Sequence, residues 1–364
     1  MDKPNKLGVR SDKIRQIVFI FVLIVVLAIM TLICLVPVTF AKAETNIFHG
    51  SSEIVIEQTT GRVLAGVNFH KKSEPASTTK ILTAICVLEN CDDLEKEITV
   101  PAEGEGVEGS SIYLKKGEKW KVIDLLYGLM LRSGNDSAVT LASMFGGINE
   151  FAKLMNLTAF KCGAYESNFV NPHGLHHENH YTTAYDLAKI TAYAYRNEKF
   201  VEIVSSKYHY YDYSGEKRCF VNKNKLLKVF DGANGVKTGY TKNSGRCLVF
   251  GVKRDEMQLI SVVLNNQDMW QRSCELVEKC FSEYKLTKVL SCTDRKSLTV
   301  KGENVDVHIQ KDLYYPLAEN EKDKIETTYT VLANPQSNRS NTAIGYVTLK
   351  LSNHLIFNEK VYTI

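Results

Sequence analysis

The sequence predicts a fold of the α/β (α+β) class: a helical cluster on one antiparallel sheet, followed by a small all-β domain. Three observations predict it. Strand-like runs open the body, helical spacing then dominates, and apolar strands return before one last helix. After about Tyr284 the helical period disappears and alternating apolar and polar stretches replace it. The chain has 364 residues, longer than one typical domain of roughly 100–200, so two domains are the starting expectation. Hydrophobic content of 44% and charged content of 24% fit a globular protein and exclude a disordered one. The divisions read from these shifts are an amino-terminal segment, 1–43, a main domain, 44–285, and a β-rich domain, 286–364.

Ile54-Val55-Ile56, the turn Thr59-Thr60-Gly61 and Arg62-Val63-Leu64 read as strand, turn, strand. Ser77 to Leu88 follows Pro75 and places Ile81, Leu82, Ile85 and Leu88 at helical spacing. Residues 97–120 are rich in Gly, Glu and Lys and read as short strands and loops. Val122 to Leu131 and Ser137 to Phe145 are helices separated by a polar tripeptide. Asn149 to Leu157 and Ala184 to Tyr195 are further helices. Strand-like runs surround Gly235-Val236, Cys247 to Val252 and Leu259 to Leu264, and Gln271 to Tyr284 is a helix. In the tail, Val305 to Ile309, Thr327 to Leu332 and Tyr346 to Leu351 alternate as strands do. The chain ends on Val361-Tyr362-Thr363-Ile364, without an amphipathic helix after it.

Charge is unevenly spread. Lys plus Arg is 45 and Asp plus Glu is 41, a net +4. Residues 1–43 carry six basic and two acidic residues, so the remaining chain carries 39 of each. A neutral body has no net field for a nucleic-acid backbone, so no nucleic-acid partner is expected. Ile17 to Val36 is a run of 20 uncharged residues, long enough as a helix to span a hydrocarbon core of roughly 30 Å. Basic residues precede it and Ala41-Lys42-Ala43 follows, the grammar of an export signal. The run exceeds the usual length of a signal's apolar region. The segment is therefore either cleaved after Ala43 or retained as a membrane anchor, with the body exported in both cases.

Nine cysteines include Cys34 inside the apolar run. The eight others, in an exported chain, invite a disulfide reading. But the body is large enough not to need staples, so most read as small buried hydrophobes. No C-x-x-C pair occurs and no His lies at finger-like spacing, so no metal or other cofactor is expected.

Three motifs carry chemistry. Ser77-Thr78-Thr79-Lys80 places Ser and Lys on one helix face, where a lysine held neutral can take the serine proton. Alone the pattern is weak: Ser214 to Lys217 and Ser282 to Lys285 match it too. Ser133-Gly134-Asn135 lies between two helices and can aim a hydroxyl and a carboxamide into a cleft, or simply cap a helix. Lys237-Thr238-Gly239 on a strand can bind a carboxylate, with Gly239 leaving room for a substrate backbone; an edge strand with Lys facing water is the plainer reading. In that order, the three motifs form the signature of the serine penicillin-binding and β-lactamase enzymes.

The surrounding residues narrow the resemblance. Pro75 to Lys80, Ser133 to Ala138, Asn171-Pro172-His173-Gly174-Leu175, His180 to Leu187 and Asp231 to Tyr240 resemble the low-molecular-mass D-alanyl-D-alanine carboxypeptidases, over about residues 50–285. Ala343 to Val347 is similar to that family's β-rich carboxy-terminal domain. The resemblance implies the β-lactamase/transpeptidase-like fold and acyl transfer on peptidoglycan stem peptides ending in D-Ala-D-Ala. It implies Ser77 as nucleophile, Lys80 as its base and Ser133 as proton relay. Asn135 would hold substrate backbone, Lys237, Thr238 and Gly239 the terminal carboxylate side. The amides of Ser77 and Tyr240 would form the oxyanion hole. β-Lactams are implied as covalent inhibitors. Family members commonly carry Arg where this chain has Lys223, so Arg272 is a further candidate for carboxylate recognition. His173, His176, His177 and His180 crowd one loop and read as loop packing.

Two rival readings stay open on sequence. A β-lactamase needs the same serine plus a deacylating Glu; Glu166 precedes Ser167-Asn168-Phe169, with no evident placement at the site. A catalytically silent cell-wall binding protein could keep the fold alone.

Overall fold

The protein is described by a computed structural model covering residues 48–300, 302–332 and 341–364. The expected export segment, with Ile17 to Val36, Cys34 and Ala41-Lys42-Ala43, lies outside the described residues. Among the described residues no helix is long and apolar enough to cross a membrane.

The centre is a five-stranded antiparallel sheet. Its order is Val63–Val67, Ser52–Glu57, Met257–Leu264, Gly245–Arg254 and Ala233–Thr241. Both faces are covered. Ile54, Ile56, Val249, Ile260 and Val262 join the core shared with the helical cluster. Val55, Leu248, Phe250, Leu259 and Val263 join the core beneath helix Met269–Glu283. A strand buried on both sides needs no polar alternation, so Met257–Leu264 is an apolar run with every residue buried. Each fully buried Ile, Leu or Phe contributes about 1.5–3 kcal/mol relative to an exposed one.

The cluster contains Lys80–Asn90, Val122–Tyr127, Asn135–Ser143, Ile148–Lys161, Ala184–Ala194 and Glu198–Ser205. Thr183 caps Ala184–Ala194 by accepting from the Asp186 amide. The predicted helix Val122 to Leu131 divides: after Tyr127 the chain widens to a π-turn over Gly128–Arg132. The hairpin Tyr208–Tyr213 with Glu216–Val221 was not predicted. Its two-residue turn is Ser214-Gly215, both at positive φ.

Beyond helix Met269–Glu283 the described residues form strands and one 3-10 helix, Glu319–Lys324. Tyr284–Leu290 pairs with Leu313–Ala318, and a second five-stranded sheet runs Lys296–Val300, Glu303–His308, His354–Thr363, Ala343–Leu351, Ile325–Val331. Val307, Ile309, Leu313, Val347, Leu349 and Val361 form its own small core. Arg62 ties it to the main sheet. Its guanidinium donates to Glu321 at 2.6 Å and to the Pro316 carbonyl, and stacks over Tyr284 and Tyr315.

The eight cysteines of the described residues are free thiols; Cys86, Cys91, Cys247 and Cys280 are buried and Cys219 is exposed.

Candidate active site

Ser77 sits in a single 3-10 turn, Ala76–Thr79, and Lys80 opens the following α-helix. The turn is tightly held. Ala76 has φ 48°, an uncommon left-handed conformation for a residue with a side chain. Gly174 packs against it from the Asn171 to Leu175 loop. A methyl group on Gly174 would fall 1.8 Å from the Ala76 carbonyl oxygen, and its φ is +85°, so only glycine fits there.

Lys80 is fully buried. Its ammonium nitrogen lies 2.9 Å from Ser77 Oγ, 2.6 Å from Asn135 Oδ1 and 2.8 Å from the His173 carbonyl oxygen. Burial pushes its pKa well below the ordinary lysine value; the nearby Lys237 and Lys223 cations push it further, against a smaller opposing pull from Asp136. The same environment therefore positions an amine beside a half-buried hydroxyl and disfavours its charge. Ser214 and Lys217 lie in the hairpin, and Ser282 with Lys285 spans a helix end and a strand. Only the 77/80 pair of the three S-x-x-K matches is placed at this cleft.

Ser133 follows the π-turn with φ 65° and is almost fully buried. Single π-turns recur at functional sites, where the extra residue re-aims the next segment of chain. Asn135 is expected to hold substrate, but both ends of its carboxamide are engaged within the protein. Oδ1 accepts from Lys80, and Nδ2 donates to the Glu108 carbonyl at 2.5 Å. The geometry makes it a positioning residue for Lys80. Asp136, missed on sequence, is buried and accepts from the amides of Ile112, Leu114 and Ser137 and from Ser111 Oγ. It anchors the 110–114 loop over the cleft.

Lys237, Thr238 and Gly239 lie on edge strand Ala233–Thr241. Lys237 does not face water: it is buried and donates to the Thr238 carbonyl at 3.0 Å. Burial, with the Lys223 cation second, lowers its pKa to about 7. Gly239 is constrained by the protein itself as well. A methyl there would come within 3.1 Å of Ala76 Cβ, the Pro75 oxygen and the Ser77 nitrogen. The missing side chain lets the strand approach the turn that carries Ser77, bringing the Ser77 amide beside the strand.

These pieces meet at one cavity of about 300 Å³, lined by Ser77, Ser110, Ser133, Lys223, Thr238, Gly239 and Tyr240, with Arg246, Met269 and Trp270 on its rim. Lys223 donates to Ser110 Oγ at 3.1 Å, and partial burial and Arg132 lower its pKa. Arg272 is a correction. Its guanidinium is taken by the buried carboxylate of Glu53 (Nε to Oε2, 2.8 Å) and by Glu275, so it holds a helix to the sheet instead of lining the cavity. Arg246 lines it. It stands opposite Tyr240 on the neighbouring strand, a register that only the fold reveals.

The histidines pack the loop. His180 accepts from the Val170 amide at Nδ1, so its Nε2–H donates to Thr79 Oγ1 at 2.9 Å. Burial lowers His173 and His180 to about 3, so both are neutral. His176 reaches Glu74. Among the described residues no group of three or more His, Cys, Asp or Glu is arranged to hold a metal. Glu166 is not at the cavity: it pairs with His70 at 2.6 Å on the surface.

A hydroxyl beside a buried amine, with cations placed for a carboxylate, defines an acyl-transferring serine hydrolase. A family model described as D-alanyl-D-alanine carboxypeptidase matches residues 39–268. The chain belongs to that family and is a serine-type enzyme of it. The carboxypeptidase DacF of Bacillus subtilis is 32% identical over 267 residues, covering 70% of this chain and 69% of the relative. DacD of Escherichia coli is 28% identical over 304 residues, covering 78% and 77%. Penicillin-binding protein 5 from Haemophilus influenzae shares the fold, with a TM-score of 0.72 at 24% identity over 86% of this chain and 96% of that one. A D-alanyl-D-alanine carboxypeptidase structure from Mycobacterium tuberculosis H37Rv gives 0.61 at 30% identity, over 64% and 90%.

Proposed function

We propose that Ser77 attacks the carbonyl between the two terminal D-alanines of a peptidoglycan stem pentapeptide and releases the last one. The observation that carries this is the 2.9 Å contact between Ser77 Oγ and a buried Lys80 whose charge is disfavoured. Neutral Lys80 takes the serine proton, the oxygen bonds to the carbonyl carbon, and the C–N bond breaks. Ser133 passes a proton to the leaving amine, and water then hydrolyses the ester. Lys237, Thr238 and Lys223 supply the polar side that receives the terminal carboxylate. The amides of Ser77 and Tyr240 stabilise the oxyanion, a contribution of about 2.7–4 kcal/mol per donor. β-Lactams acylate the same oxygen and leave slowly. The enzyme works outside the cytoplasmic membrane, held there by residues 1–43 if they are not removed. Residues 44–285 form the catalytic domain and 286–364 the β-rich one. Relatives whose own chains are nine-tenths covered while spanning only 64% of this one support that division.

Purified protein should release D-alanine from an N-acylated Lys-D-Ala-D-Ala peptide and gain the mass of one penicillin. Rapid catalytic turnover of nitrocefin would instead establish a β-lactamase. No release and no acylation would leave a silent binding protein.

The two lysines set opposite limbs of the pH profile. Lys80 works neutral, so activity falls as pH drops through its lowered pKa. Lys237 works protonated, so kcat/KM falls as pH rises through about 7 in the free enzyme. Lys237→Arg keeps its proton at all accessible pH, and the alkaline limb should move up by more than one unit while the acid limb stays. An unmoved alkaline limb would assign that limb to another group.

A further inference from the structure

We propose that Arg246 is a specificity residue, selecting stem peptides that carry a carboxylate on the acyl side of the scissile bond. This rests on the carboxypeptidase reading above and names its substrate class. The strand direction fixes which side Arg246 serves. In the proposed reaction the leaving D-alanine's carboxylate faces Lys237 and Thr238, and the scissile carbonyl of the penultimate D-alanine faces the amide of Tyr240, two residues past Thr238 on the strand. The retained part of the peptide therefore continues past Tyr240. Arg246 stands opposite Tyr240 in the register, with its guanidinium 5.8 Å from the Tyr240 ring centroid.

The guanidinium is available. Arg62, Arg218, Arg254 and Arg272 each pair with a carboxylate, whereas no carboxylate pairs with Arg246 among the described residues. Its stacking on Tyr240 leaves the N–H edge free for a bidentate partner. Trp270, on the same rim, carries a second cation, with Lys225 5.0 Å from its ring. No acidic side chain lines the cavity. A rim of this charge attracts a carboxylate and repels a lone ammonium. Diaminopimelate and lysine, two residues that can occupy the third stem position, differ in just this way: the first ends in a carboxylate and an ammonium, the second in an ammonium alone.

The test is the ratio of kcat/KM for two N-acylated X-D-Ala-D-Ala peptides, X being diaminopimelate or lysine. The wild-type enzyme should prefer diaminopimelate by about fivefold, the scale of an exposed ion pair. Arg246→Ala should bring the ratio close to one, and Arg246→Glu should invert it. Acylation by benzylpenicillin, read by intact mass, shows that each variant is folded with a competent serine. A wild-type ratio near one, or variants that lower both substrates equally, overturns the proposal while leaving the carboxypeptidase reading intact. If the wild-type enzyme releases D-alanine from neither peptide, that reading itself falls, and the proposal with it.

Discussion

Replacing Ser77 with Ala should abolish D-alanine release and penicillin acylation together. The loss in kcat should approach the order of 10⁶-fold seen when a serine nucleophile is removed. Ser77 Oγ is the hydroxyl contacted by Lys80 Nζ, in a turn held from two sides by glycines. Ser133 also lines the cavity but sits across it on a different element. Ser133→Ala should still form the penicillin adduct, only more slowly. Intact mass after penicillin exposure, followed by peptide mapping, decides the matter. An adduct on any residue but Ser77 removes it as nucleophile. Ser77 is half-buried with no packing role beyond its turn, so the variant's melting temperature should stay close to that of the parent.

Lys80→Met should cost about 10³- to 10⁴-fold in acylation rate, the upper range for one proton-transfer group. Lys80 does more than contact the nucleophile, since its ammonium also joins Asn135 to the His173 carbonyl. Arginine separates charge from basicity. A guanidinium keeps its proton, so Lys80→Arg should be as inactive as Lys80→Met although it restores a cation. If Lys80→Arg recovered most of the rate, the lysine would be acting as a charge and the neutral-base mechanism would be wrong. Thermal melts of both variants separate a chemical loss from unfolding, since truncation leaves two buried acceptors without their donor.

The fold was largely legible where physics is local. Strands buried on both faces announce themselves as continuous apolar runs, and Met257–Leu264 is one. Helices with an apolar stripe, such as Lys80–Asn90 and Ala184–Ala194, follow from spacing. The hairpin at 208–221 was missed because its strands are mostly exposed and polar, so no apolar alternation marked them. The division of the predicted helix at Tyr127 was missed because a π-turn has nearly the composition of an α-turn. Gly239 lines the cavity, and its missing side chain also admits the turn that carries Ser77, a constraint no spacing reveals.

Residue chemistry and chain order singled out Ser77, Lys80 and the Lys237-Thr238-Gly239 strand, because three motifs in one sequence are linear information. They determined also that the +4 belongs to residues 1–43 and that the body is neutral. Tertiary structure decided what those residues can do. The charge of Lys80 is disfavoured because burial and two lysines from distant segments act on it at once, a sum that no spacing encodes. Arg272 and Arg246 are the same side chain in the sequence. The fold seats one against buried Glu53 and leaves the other facing the cavity, and a guanidinium already satisfied by a carboxylate cannot recognise another.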